Sequence, residues 1–268
     1  YDARRVAQKL DIPHYVFNYE KNFKKDVIDY FIDSYANGDT PIPCIKCNET
    51  VKFRDLMDFA KKLEADCMAT GHYVKREGAT DKALMFRAND KTKDQSYFLF
   101  ATTQEQLDFL RFPLGSLTKN ETRDFAKKLG LNVYDKKDSQ DICFIPNGDY
   151  KSFIKLKAKE GNVIDRSGKV LGKHEGIHNF TIGQRRGMGI ASKKPLYVVD
   201  ILKDTNEIIV GDKVHLLGQS LILDELNFIM PDIDISAPTL KIKCSAKIRS
   251  LSTPSEGTLY KKENTFSF

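Results

Sequence analysis

Two cysteines at a three-residue step, Cys44 and Cys47, lie in the stretch Thr40-Pro-Ile-Pro-Cys-Ile-Lys-Cys-Asn-Glu-Thr50. Pro41 and Pro43 favour an extended backbone and oppose a helix there. Asn48 reads as the N-cap of a helix whose apolar face is Val51, Phe53, Leu56, Met57, Ala60 and Leu63. Cys47 then stands at the positive end of that helix beside Lys46. Both features favour a thiolate, the reactive form of the side chain. Cys143 is a third thiol in a polar, turn-rich setting. A zinc ribbon would need a second CxxC, and the chain has none. Two chemistries stay open for the three thiols: Cys47 and Cys143 as nucleophile and partner, or an iron–sulfur site built from Cys44, Cys47 and Cys143. Cys67 and Cys244 fall within apolar strand patterns and are expected in the core.

Gly71-His72 closes the apolar run Cys67-Met-Ala-Thr70, which reads as a buried parallel strand. Ligands bind at the carboxyl edge of such sheets, so His72 is a candidate functional residue. His14, His174, His178 and His215 share no metal-ligand spacing and stay unassigned. Gly183-Gln-Arg-Arg-Gly-Met-Gly189 pairs two arginines with three glycines, as a solvated loop or as a basic loop that follows RNA phosphates. No two glycines are adjacent, and no GxxxxGK[ST] motif cradles a phosphate.

The elements that must position these residues follow an α/β rhythm. A helix over 1–10 leads to a strand at 14–18, a second helix covers 22–36, and the CxxC helix runs over 48–64. A hairpin is expected over 73–89 and a short helix opening from Lys93-Asp-Gln-Ser-Tyr-Phe-Leu99. Thr118-Lys-Asn-Glu121 is a capping box, with Gly130 as that helix's terminator. A polar loop covers 135–141. After a helix at 149–160 the chain turns to β segments, with hairpin turns at Asp165-Arg-Ser-Gly168 and Lys203-Asp-Thr-Asn206. In Thr239–Ile248, Leu240, Ile242, Cys244 and Ala246 alternate with polar residues, which suggests a small β-barrel.

The chain has 268 residues, 41% hydrophobic and 30% charged, enough for one to three folded domains. No apolar run approaches the ~20 residues of a membrane span, and no signal-peptide core is present. Five dispersed cysteines do not make a disulfide framework, so a reducing, cytoplasmic setting is expected. A net charge of +6 leans toward a polyanionic partner. The start at Tyr1, inside a helical pattern, suggests a fragment that begins partway into a domain.

Five motifs occur in order: Pro41-Ile-Pro-Cys-Ile-Lys-Cys-Asn48, Ala69-Thr-Gly-His-Tyr73, Lys93–Leu99, Lys137-Asp-Ser-Gln-Asp-Ile-Cys-Phe144 and Gly183–Gly189. Together they closely resemble the tRNA-specific 2-thiouridylases, which replace the C2 oxygen of the wobble uridine with sulfur. The resemblance implies an α/β fold: a Rossmann-like catalytic domain with a parallel sheet, similar to the adenine nucleotide alpha hydrolases (1–148), then a small central domain (149–215) and a partial C-terminal β-barrel (216–268). It also implies ATP with Mg2+ as cofactors, a tRNA anticodon loop as substrate, and a sulfur carrier protein or cysteine desulfurase as partner. Carried over to this chain, Cys47 is the nucleophile and Cys143 bears the persulfide, the two ending in a transient disulfide. Gly71 contacts ATP. Ile42, Pro43 and Cys44 face the target base, and His72, Lys93, Asp94, Gln95, Arg249 and Ser250 meet tRNA.

Three departures from the family pattern carry consequences. Cys44 stands where many relatives have aspartate. The phosphate loop is not among these residues, and the tail after Arg249 lacks the usual closing strands. This chain alone is therefore expected not to adenylate its substrate. A non-catalytic tRNA-binding remnant is the alternative function.

Overall fold

The computed structural model describes residues 1–79, 82–136, 141–145, 148–157, 159–229 and 233–268, with Lys151 by its backbone alone. Two compact units divide the chain. One comprises Tyr1–Phe23, Cys44–Asp138 and Ile222–Phe268, the other Lys24–Pro43 and Ser139–Leu221.

In the first unit the opening helix spans Asp2–Leu10 and ends where Asp11 turns left-handed, at φ 53°. The strand expected at 14–18 does not form: Tyr15 and Val16 are 73% and 84% exposed. β-forming residues need a partner edge, and among the described residues no strand pairs with this one. Phe17 instead sets its ring 4.4 Å from that of Phe59. A parallel pair is present, Met68–Ala69 against Leu110–Arg111, with Met68 opposite Leu110. Cys67 lies just outside it and is exposed, so its expected core position is corrected. The strand is two residues long, too short to carry the cysteine inward.

The hairpin forms as Val74–Glu77 against Leu84–Arg87. Phe53, Val74, Leu99, Leu107 and Leu110 are almost fully enclosed and make the core of this region. Gly115 closes it, because a Cβ there would stand 1.9 Å from the Val74 carbonyl oxygen. The capping box is present on the helix Lys119–Lys128, with Thr118 accepting from the Glu121 amide, and Gly130 follows at φ 65°. Thr239–Ala246, Ser255–Lys262, Thr265–Ser267 and Ile222–Leu223 form, in that order, an open antiparallel sheet. Its long strand alternates as expected, though Cys244 is half-buried rather than enclosed.

The second unit has two parts. Phe31 and Tyr35, on the helix Tyr30–Ala36, cluster with Ile145 and Ile154. The helix expected over 149–160 covers only Tyr150–Ile154, because Lys155 turns left-handed at φ 48°. The other part is a four-stranded sheet in the order Val170–His174, Gly161–Asp165, Glu207–Gly211, Tyr197–Leu202. Both hairpin turns lie as expected. The Asp165 carboxylate accepts from the amides of Ser167 and Lys169, and Asn206 takes φ 55°. Val163, Ile177, Phe180, Val198, Ile208 and Val210 fill the core beneath this sheet. Among the described residues no helix is long and apolar enough to cross a membrane.

Candidate functional site

The helix carrying the two thiols starts earlier than its sequence suggests. Helical backbone runs through Pro43–Lys46, Cys47–Leu56 and Met57–Lys62. Pro43 opens it, since the fixed φ of proline suits the first helical position, where an amide hydrogen is not needed. Cys44 is therefore in the first turn and exposed, while Cys47 is in the second and half-buried. The expected N-cap, Asn48, is instead 3% exposed inside the helix. Residues Cys47–Leu56 wind as a π-helix, a wide turn that proteins use sparingly and often near functional sites. Lys46, the cation beside Cys47, pairs with Glu49 at 3.0 Å.

Asn48 has a different task. Its Nδ2 donates to the Phe98 carbonyl at 3.1 Å, and its Oδ1 accepts from Lys52 at 2.9 Å. That bond ties the thiol helix to the motif 93–99. The same motif is tied to the turn after the parallel strand by a reciprocal pair: Tyr73 N–H donates to Gln95 Oε1 at 2.9 Å, and Gln95 N–H donates to the Tyr73 carbonyl at 3.0 Å. Three of the five motifs thus meet in one place. Neither Asn48 nor Gln95 stood out as a link in the sequence; an Asn-Lys pair at i, i+4 was the available signal for the first.

His72 sits at that junction, half-buried. Its Nδ1 is 2.8 Å from the Thr70 hydroxyl, and its ring meets Phe53 edge-to-face at 5.9 Å. Burial, and secondarily the Lys52 charge, pull its pKa down to about 4, so the ring is neutral at pH 7. Gly71 is exposed at the carboxyl end of the parallel strand. A Cβ there would meet only Leu114, at 3.9 Å, so the position is open to a ligand and suits the nucleotide contact that the family pattern implies.

The remaining tRNA candidates differ in how much of their chemistry is committed within the protein. Asp94 caps its own turn, accepting from the Ala88 amide at 3.0 Å and from the Ser96 hydroxyl at 2.8 Å. Lys93 lines an open cavity of about 350 Å³ with Asp90, Thr92, Thr118, Lys119 and Arg123. Arg249 and Ser250 occupy the turn between the two long C-terminal strands, next to Ile248, whose carbonyl accepts from the Tyr97 hydroxyl at 3.0 Å.

Ile42, Pro43 and Cys143 belong to the second unit. Ile42 is half-buried and Pro43 buried. Cys143 is exposed on a turn closed by Ile145 N–H donating to the Ile142 carbonyl at 3.0 Å. Its neighbours anchor that turn, with Ile145 buried in the cluster and the Phe144 ring 5.5 Å from Phe31. Residues 137–140 of the same motif lie outside the described residues. The Gly183–Gly189 loop is pinned by Gly183 N–H donating to the Val198 carbonyl and by Met188 packing on the sheet core, which leaves Arg185 and Arg186 exposed. Among the described residues no three His, Cys, Asp or Glu side chains converge as metal ligands.

Comparison with known proteins places this arrangement. Residues 1–147 match the family model described as the tRNA methyl transferase HUP domain, a Rossmann-like nucleotide alpha hydrolase fold, and residues 151–212 match the tRNA methyl transferase PRC-barrel domain. The chain is 52% identical over 258 residues to the tRNA-specific 2-thiouridylase MnmA of Rickettsia massiliae, covering 95% of this chain and 70% of that protein. Against the protein of the same name from Dinoroseobacter shibae the identity is 52% over 265 residues, covering 97% and 68%. The Hyphomonas neptunium protein of that name is 48% identical over 263 residues, covering 97% and 67%. With the CxxC helix, the histidine turn and the 93–99 motif joined by hydrogen bonds in one region, the chain belongs to the tRNA-specific 2-thiouridylase family.

Proposed function

We propose that this protein transfers sulfur to the C2 position of the wobble uridine of tRNA. The observation that carries the reading is the meeting of the thiol helix with the neutral His72 turn through Asn48 and Gln95. The domains are taken as 1–148, 149–215 and 216–268, in a cytoplasmic protein. ATP, with Mg2+ and contacted by Gly71, supplies the adenylyl group that turns the uracil C2 oxygen into a leaving group.

The chain's own thiols then carry the sulfur. Cys143 holds it as a persulfide delivered by a carrier protein or a cysteine desulfurase. The outer sulfur attacks C2 as the activated oxygen departs. Cys47 attacks the Cys143 sulfur, forming the Cys47–Cys143 disulfide and releasing the thiocarbonyl, and an external thiol reduces the disulfide for the next turnover. An exposed persulfide site on an anchored turn suits delivery by another protein. His72, neutral at pH 7, can meet the uridine region as a hydrogen-bonding partner without adding charge. Ile42, Pro43 and Cys44 face the base, and Lys93, Asp94, Gln95, Arg249 and Ser250 contact the tRNA, while Asp94 and Gln95 also hold the turn they lie on.

The test is thiolation of an unmodified tRNA transcript, with ATP and a persulfide donor, by the full-length protein and its Cys47→Ser and Cys143→Ser variants. Sulfur replacing oxygen in the wild-type product, lost in Cys47→Ser, supports the reading. A product that gains a methyl group would instead support the activity named in the family-model descriptions. Tight tRNA binding with no product would leave an RNA-binding protein without catalysis.

A further inference from the structure

Beside the proposed site, within the first unit, lies an open cleft of about 320 Å³ lined by Arg87, Ser96, Tyr97, Phe100 and Lys247. That volume is at the small end of ligand sites. Among the described residues its lining holds two cations and no carboxylate. Phe100 is 57% exposed, and its ring stands edge-on to Tyr97 at 6.3 Å.

An exposed phenylalanine alone is unremarkable. This one is held in place. Asn227 Nδ2 donates to the Phe100 carbonyl at 2.9 Å and to the Thr102 carbonyl at 2.7 Å. Tyr97 donates its hydroxyl to the Ile248 carbonyl at 3.0 Å, which fixes the segment just past the strand Thr239–Ala246, where Lys247 lies. The ring is presented on a backbone already ordered, so little conformational entropy remains to be lost on binding.

We propose that this cleft binds one unpaired nucleotide of the RNA, its base stacked on Phe100 and its phosphate between Arg87 and Lys247. The assignment deepens the proposed function and rests on it. A flat aromatic face flanked by cations is the combination that holds single-stranded RNA, since every base offers a π-face and every nucleotide a negative charge. A duplex buries its base faces and gains only the charge. The site also adds contacts that the five motifs alone do not indicate: Arg87 and Lys247 lie outside them.

The test measures binding of a single-stranded oligoribonucleotide, a fully paired RNA duplex and a tRNA transcript to the whole chain as wild type, Phe100→Leu, Phe100→Trp and the double variant Arg87→Gln/Lys247→Gln. Phe100→Leu keeps apolar bulk and loses the flat face. It is expected to weaken single-strand and tRNA binding about tenfold and to leave the duplex unchanged, with Phe100→Trp at wild-type affinity. The double variant is expected to flatten the salt dependence by about 0.7 per lost phosphate contact. Equal losses on duplex and single strand, wild-type affinity in Phe100→Leu, or failure of Phe100→Trp would each overturn the stacking site. A wild type that binds no RNA at all would overturn the proposed function itself.

Discussion

His72 in the first unit and His174 in the second both have their pKa lowered, chiefly by burial, yet they do different things. His174 is sealed into its sheet: its Nδ1 accepts from the Gly176 amide at 3.0 Å, and its Nε2 donates to the Asn206 carbonyl at 3.2 Å. Both ring nitrogens are engaged inside the unit, which is how a buried polar group is made harmless. His72 is half-buried, held through Nδ1 by Thr70 and through its ring by Phe53, at the carboxyl end of a parallel strand. A shifted histidine pKa therefore marks a site only when the surroundings leave the ring within reach of a ligand.

The sharpest way to break this contrast is to remove chemistry from one unit and packing from the other. Cys47→Ser is expected to lower thiolation roughly 100-fold or more while leaving the melting temperature unchanged, measured by product analysis and thermal unfolding. A comparable rate in the variant would move the nucleophile elsewhere. Next in size is a pH effect. Because folding lowers the His72 pKa from 6.5 to about 4, the unfolded state binds the proton first, and stability falls as pH drops through that window. The loss amounts to at most about 3 kcal/mol. His72→Gln should flatten the curve of unfolding free energy between pH 6.5 and 4, leaving the contribution of His174, whose pKa burial also lowers. An unchanged slope would show that His72 titrates normally.

Asn206→Ala tests the other side. Asn206 is buried, and its Nδ2 donates to the carbonyls of Lys159 and Glu160, at 3.2 and 2.7 Å, so truncation removes two hydrogen bonds and leaves a gap where the amide stood. It should destabilise by about 2 kcal/mol in denaturant titration without lowering thiolation below the unfolding transition. Direct loss of activity in the folded variant would mean that this sheet takes part in the chemistry. The smallest expected effect is that of Arg185→Gln/Arg186→Gln, a few-fold loss of tRNA affinity with a shallower salt dependence and no change in melting.

What the sequence made legible is what is decided locally. The capping box of Thr118 and Glu121 and the Asp165–Gly168 turn depend on residues within four positions of one another, and both lie where expected. The strand at 14–18 failed because extended residues become a strand only against a partner, which no local pattern supplies. Asn48 was misplaced because Pro43 serves as a helix opener, so the helix had already begun. The thiols, the histidine turn and the 93–99 motif could be named from residue types. The bonds that join them, Asn48 to Phe98 and Gln95 to Tyr73, bridge distant stretches and were not visible.

The bonds from Asn227 to Phe100 and Thr102 and from Tyr97 to Ile248 join stretches 125 to 151 residues apart. Chains are made from the N-terminus, and early segments fold while later ones are still in the ribosome. A nascent chain that has already completed the CxxC helix and the histidine turn has not yet fixed Phe100. The aromatic platform is thus a late product of synthesis, finished only when Asn227 and then Ile248 have emerged, and a chain stopped before that point would present its thiols before it could grip RNA at this cleft.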